Sequence, residues 1–298
     1  MLKDFVHAQA CDRLRARAEE LVRDFDPAGV VSIFSTHEQT RTSDDYFLES
    51  GDKIRFFFEE NAFNLDGSLR QAKKRSINKI GHALHDLDPV FDRFSRRAEI
   101  KQLVHDLGID QPRLLQSMYI FKQPNIGGEV TCHQDATFLF TEPLRMVGLW
   151  FALEDATIEN GCLWAIPGGH KGGLKSRFVR VKEALPDGRA TAPSRTRFDT
   201  FDNSPWAEDN LQPLEVEKGT LIVLHPLLPH LSHENRSSRS RHAYTLHVID
   251  ASVNYPIENW LQRAVEMPLR GFQACLLTEP RAVASGIKSQ PAECPPEI

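Results

Sequence analysis

His133-Gln134-Asp135 sets an imidazole and a carboxylate two residues apart. In an extended segment, residues i and i+2 point to the same face, so both groups can reach one ion from a strand end. Chance supplies about one His-x-Asp match in a chain of this composition, so the surroundings matter. Gly127-Gly128 precede the motif, and strand-like runs lie on both sides. A third ligand must come from elsewhere. His225, His230 and His233 all follow the apolar run at 220–224, and local reasoning does not choose among them. Two imidazoles and one carboxylate on one face of an ion leave three positions open. That suits a non-haem Fe(II) centre, where a 2-oxo acid takes two positions and O2 the third. The same donors accept Zn, Co, Ni or Mn. A guanidinium matches a carboxylate through two parallel hydrogen bonds and keeps its charge. Arg241 is therefore a candidate dock for the distal carboxylate of 2-oxoglutarate. Arg236 and Arg239 are its rivals, and Arg239 shares its parity.

Elements that could position these groups are visible in the periodicity. Residues 8–25 carry Leu14, Ala18, Leu21, Val22 and Phe25 at helical spacing. Residues 89–107 read as a second helix, ended by Gly108. From 114 onward short runs rich in β-branched and aromatic residues alternate with Gly and Pro: 114–122, 146–153, 162–166, 220–225 and 242–249. Helices followed by many short strands predict a helix-backed antiparallel barrel or jelly roll. The polar stretch 186–213 reads as a surface loop or lid. No Gly/Ser linker splits the chain, which predicts one domain over 1–280 and a disordered tail over 281–298.

Composition narrows the class. Hydrophobic content of 41% and charged content of 26% are ordinary for a globular protein. A net charge of −5 and a pI near 6.2 give no electrostatic footprint for nucleic acid. Five scattered cysteines with no CxxC pair argue against a zinc knuckle or a disulfide framework and fit a reducing compartment. There is no run of eighteen apolar residues to span a membrane, no long apolar N-terminal stretch and no peroxisomal C-terminal address. The expected location is the cytoplasm.

Longer segments carry a family likeness. From about residue 44 to 262 the chain resembles the phytanoyl-CoA dioxygenase family, through DYFL at 45–48, GDKIRFFFE at 51–59, SINKIGHALH at 76–85 and QSMYIFKQP at 116–124. GGEV at 127–130, HQDA at 133–136, ENGCLW at 159–164, IPG at 166–168, RSR at 239–241, AYT at 243–245 and ENWLQ at 258–262 continue it. The resemblance implies a double-stranded β-helix and Fe(II)/2-oxoglutarate chemistry. It assigns His133, Asp135 and His230 as ligands, because the family's arginine follows the second histidine by eleven residues. It implies 2-oxoglutarate contacts at Lys79, Met118, Trp150, Ser232 and Arg241. A carboxylate at Asp135 fills the position that halogenases leave for chloride, so hydroxylation or desaturation is expected. Two departures stand out. No counterpart of the family's N-terminal "DGF" segment precedes Leu2, and Gly169 stands where the family has Ser.

The substrate is less constrained. A small organic molecule is expected: a carboxylate, a CoA ester or a terpenoid-like acid. Lys171, Lys175, Arg177, Arg180 and Lys182 could meet an acidic substrate, although charge runs usually face water. Phe56-Phe57-Phe58 reads as core packing, with an apolar lid as the alternative. The competing function class is a non-catalytic β-helix protein that binds a small acid or metal for sensing or scaffolding.

Overall fold

The computed structural model describes residues 1–28, 30, 32–34, 44–181 and 195–273. Helix α1 (Ala8–Asp24) and the short α2 (Asp45–Leu48) precede strands β1 (Ile54–Phe58) and β2 (Ile77–His82). Three helices follow: α3 (Leu84–Leu87), α4 (Pro89–Ser95) and α5 (Ala98–Asp106). The rest is mostly strand: β3 (Pro112–Ile120), β4 (Val130–His133), β5 (Met146–Ala152), β6 (Leu163–Ala165), β7 (Ser176–Val181) and β8 (Arg195–Thr200). It continues with β9 (Gln212–Leu214), β10 (Leu221–Leu224), β11 (His230–Ser232) and β12 (Ala243–Asp250). One helical turn, α6 (Asp135–Phe138), follows β4 directly.

The strands form a six-stranded sheet in the order β1-β2-β3-β12-β5-β10, a four-stranded sheet in the order β4-β11-β6-β9, and the hairpin β7-β8. Pairing within each is antiparallel. Alternation divides the faces of the large sheet. On β5 and β12, Val147, Leu149, Phe151, Tyr244, Leu246 and Val248 join the core under the helices with Leu14, Ala18, Phe91, Phe94, Ile100 and Val104. The opposite parity, Gly148, Trp150, Thr245 and His247, lines a cavity of about 410 Å³ whose other wall comes from β4, β6 and β11. Burial of the helix-facing set is the main stabilising term, at about 25 cal/mol per Å² of apolar surface.

Helix α1 matches its sequence reading; Leu14, Ala18 and Val22 are buried. The single helix expected at 89–107 is two. Arg97 is extended (ψ 146°) and starts α5, while Arg96 closes α4 and donates to Asp86 at 2.6 Å and to the Gly271 carbonyl at 2.8 Å. Fixing Arg96 on that carboxylate turns the chain where periodicity alone runs on. Phe56, Phe57 and Phe58 are buried on β1, which is the core-packing reading. The loop expected at 186–213 is corrected over its second half. Residues 195–200 pair with β7, and 212–214 pair with β6. Residues 182–194 and the tail from 274 lie outside the described residues. No described helix is long and apolar enough to cross a membrane.

Candidate metal centre and cosubstrate pocket

Strand register brings the two imidazoles together. His133 ends β4, His230 begins β11, and the two are direct partners across the ladder. Opposed residues on one face have side chains about 5 Å apart; here the rings lie 4.3 Å apart. Gln134 is extended (ψ 136°), so Asp135 returns to the face of His133 before α6 begins. Asp135 is thus the first residue of a helical turn, whereas the i, i+2 argument pictured it at a strand end. Its Oδ1 lies 3.8 Å from His133 Nε2 and 3.7 Å from His230 Nε2. Ligand atoms of the three residues all fall within 4.8 Å of one another, and they form the His/Asp/Glu/Cys cluster found among the described residues.

Backbone carbonyls hold both rings. His133 Nδ1 lies 2.8 Å from the Thr131 carbonyl, and His230 Nδ1 lies 2.9 Å from that of Leu228. A backbone carbonyl on Nδ1 fixes the tautomer that leaves the Nε2 lone pair free for a metal. Burial, helped by His230, pushes His133 down to about 4. Burial acts to raise Asp135, but His247, His230 and His133 outweigh it and hold its carboxyl well below the usual range. At neutral pH the imidazole is neutral and the carboxylate charged, the forms that ligate.

The rival histidines stand elsewhere. His225 faces His170, with ring centroids 5.0 Å apart, and His233 packs on Trp164. Burial likewise separates the arginines. Arg241 is 1% exposed, whereas the side chains of Arg239 and Arg236 are 66% and 85% exposed. Arg241 lines the cavity, donates Nε to the Gly161 carbonyl at 3.0 Å and lies over the Trp150 ring at 5.2 Å. Its Nη1 is buried with no hydrogen-bond partner among the described groups. A buried guanidinium nitrogen is costly unless an acceptor meets it, so this cavity wall fits an anion.

Lys79, Met118, Trp150 and Ser232 line the same cavity. Lys79 is 4% exposed; its Nζ sits 3.5 Å from the Phe34 ring centroid and 3.9 Å from Met118 Sδ. Burial pushes its ammonium well down. Ser232 Oγ accepts from Lys122 Nζ at 2.7 Å. Lys122 is a group the sequence reading missed. It is 1% exposed and also donates to the Gly128 carbonyl at 2.6 Å; burial, with Arg241 nearby, pushes it down to about 7. Glu59 was missed too. Fully buried, it accepts from Asn78 at 2.8 Å and from the Gly128 amide at 3.0 Å, and burial raises its pKa. His247 is the third omission. Its Nε2 lies 3.3 Å from Asp135 Oδ2. Parity could have placed it on the face of Arg241, six residues earlier and just before β12, but not beside Asp135.

The basic run at 171–182 is not a solvated loop. Most of its second half is strand β7, and three of its cations have partners, while Lys171 is exposed. Lys175 pairs with Asp202 at 2.9 Å and stacks over Trp206; Arg177 stacks on Phe140; Arg180 donates to the Trp260 carbonyl at 2.6 Å. Lys182 lies outside the described residues. Beside His133, Phe138 packs with Phe178 and Phe198 of the β7-β8 hairpin. Gly169 is explained by its neighbour: a Cβ there would come within 2.7 Å of Pro229 Cδ, one residue before His230.

Comparison with known proteins agrees with this geometry. The model of the phytanoyl-CoA dioxygenase (PhyH) family matches residues 1–243. A "Phytanoyl-CoA dioxygenase" of Arabidopsis thaliana is 47% identical over 271 residues, covering 90% of each chain. "Phytanoyl-CoA dioxygenase domain-containing protein 1" of Mus musculus is 44% identical over 275 residues, covering 90% of this chain and 92% of its own. Among solved structures, the "non-heme alpha ketoglutarate dependent carbocyclase SnoK from nogalamycin biosynthesis" shares the fold. Its TM-score is 0.55 at 17% identity, over 85% of this chain and 80% of that one.

Proposed function

This chain belongs to the phytanoyl-CoA dioxygenase family, and from that premise we propose that it is a non-haem Fe(II)- and 2-oxoglutarate-dependent dioxygenase. It oxidises a C–H bond of a small organic substrate, with hydroxylation the favoured outcome, and releases succinate and CO2. In this reading the two facing sheets are the halves of a double-stranded β-helix. His133, Asp135 and His230 hold Fe(II), and Arg241 takes the distal carboxylate of 2-oxoglutarate. One observation carries the proposal: three ligand atoms within 4.8 Å share a cavity with a buried guanidinium that has an unpartnered nitrogen.

Bound Fe(II) with 2-oxoglutarate supplies O2 activation. The chain's own residues supply position, charge and dryness. The carbonyls of Thr131 and Leu228 aim both Nε2 atoms inward. Ser232 Oγ accepts a hydrogen bond from Lys122, so its own hydroxyl is free to donate one to a carboxylate. Lys79 offers a further nitrogen donor to the cosubstrate, with Met118 beside it and Trp150 under Arg241 as walls. Phe138, Phe178 and Phe198 screen one side of the centre from water. A pocket of about 410 Å³ favours a compact carboxylate or terpenoid-like acid; a CoA ester would place its nucleotide outside.

The test is anaerobic addition of Fe(II) and 2-oxoglutarate. A weak visible charge-transfer band should appear, and on admitting air with candidate substrates succinate should form. Loss of both signals would sink the oxygenase reading.

A further inference from the structure

The two oxygens of Asp135 face different partners. Oδ1 lies 3.8 and 3.7 Å from Nε2 of His133 and His230, and Oδ2 lies 3.3 Å from Nε2 of His247. His247 is 5% exposed on β12, directly opposite Gly148 of β5. A Cβ at Gly148 would come within 2.9 Å of Oδ2 and 3.3 Å of the Leu224 Cβ. Oδ2 therefore sits in a slot floored by a bare backbone; it makes no hydrogen bond to the described groups, and His247 Nε2 faces it at an ion-pair distance of 3.3 Å. The backbone of Asp135 is held as well, through Ala136 N to the Pro226 carbonyl at 2.9 Å.

We infer that His247 is a positioning residue that holds Asp135 by Oδ2, so that the carboxylate offers the metal Oδ1 alone. This rests on the Fe(II) reading of the centre. A carboxylate ligating through both oxygens would take one of the three positions that the 2-oxo acid and O2 need. Pinning Oδ2 keeps the third position open. A partner outside the ligand set that orients a ligand is commonly worth 10- to 100-fold in metal affinity.

The test compares wild type, His247→Phe, His247→Gln and His247→Asn under anaerobic conditions. Phe keeps a flat ring but has no donor. Gln carries an N–H at about the reach of Nε2, and Asn carries one that is too short. Fe(II) affinity is titrated directly, the 2-oxoglutarate charge-transfer band is read at saturating Fe(II), and melting temperature controls for folding. The Phe and Asn variants should weaken Fe(II) at least tenfold and lose band intensity; Gln should recover most of both. Equal affinity and band in all four proteins would overturn the inference, and so would a Gln variant as impaired as Phe. If Phe fails to fold, the Asn and Gln pair decides. A wild type that binds Fe(II) but gives no 2-oxoglutarate band sinks the oxygenase reading, and the affinity comparison still decides His247. A wild type that binds no Fe(II) overturns both.

Discussion

Arg241 and Arg239 share type, charge and parity, and differ in what surrounds them. Arg241 is 1% exposed with an unpartnered Nη1; Arg239 reaches out towards Glu159 at 3.6 Å. Charge-assisted hydrogen bonds to a buried guanidinium are worth about 1.5–3 kcal/mol each, and 1.4 kcal/mol is a factor of ten. Arg241→Ala should therefore raise the 2-oxoglutarate KM at least tenfold, while Arg239→Ala leaves it unchanged; the reverse pattern would move the dock to Arg239. His133→Ala, Asp135→Ala and His230→Ala should each abolish turnover and weaken Fe(II), whereas His225→Ala and His233→Ala should keep the metal, as metal titration will tell. The pairing of His133 with Asp135 could be read locally, because i and i+2 share a face. The choice of His230 could not. It depends on which residue of β11 meets His133 across the ladder, a long-range register that spacing does not encode. His247 escaped for a similar reason: its relation to Asp135 exists only after β12, β5 and α6 have packed.

Parity along β12 explains most of the site. Tyr244, Leu246 and Val248 pack under the helices, while Thr245 and His247 face the cavity. The pairing runs one step past the strand, from Arg241 N to the Lys122 carbonyl, which carries the cavity-facing phase on to Arg241. On the neighbouring strand, Gly148→Ala should push on Asp135 Oδ2 and weaken Fe(II) with little change in far-UV circular dichroism; unaltered metal affinity would count against the slot. Strands β3, β5, β6, β10 and β12 were legible, because β-branched runs punctuated by Gly and Pro survive in any packing. The break in the helix at 96–97 was not, because its cause is Asp86. That carboxylate is 1% exposed and meets Arg96 at 2.6 Å, Arg263 at 3.0 Å and Arg270 at 2.9 Å. It ties the segment after β12 to α4. Burial alone would raise the Asp86 carboxyl, but His85, Arg263 and Arg96 hold it well below the usual range. A depressed folded pKa contributes stability that is present above the unfolded value, about 3.9, and is lost as pH falls below it. Denaturant melts should show Asp86→Ala costing about 3–5 kcal/mol at pH 7, because buried cations lose their partner. The deficit should shrink towards acid pH, and a pH-independent difference would point to packing instead.

At the scale of the molecule, one face of the large sheet is given to stability and the other to the cavity. Sequence pattern conveyed the first, as helical spacing and alternation. It conveyed only part of the second, because the hairpin β7-β8 and the segment with Lys175, Asp202 and Trp206 read as polar loop until their pairing is seen. A ligand that binds only the folded chain stabilises it by about 2.7 kcal/mol at a hundred times its Kd. Co(II) with 2-oxoglutarate should raise the melting temperature of wild type and leave His230→Ala unmoved; an equal rise in both would place the metal elsewhere. The cross-strand pairing of His133 with His230 carries this further. Shifting β4 by one residue would turn His133 away and present Cys132 or Gln134 at that rung. An ion shared by those two rings would act as a rivet through neighbouring strands, and a mis-threaded chain could not accept it. Loading would then favour the one register of the smaller sheet in which the two rings meet.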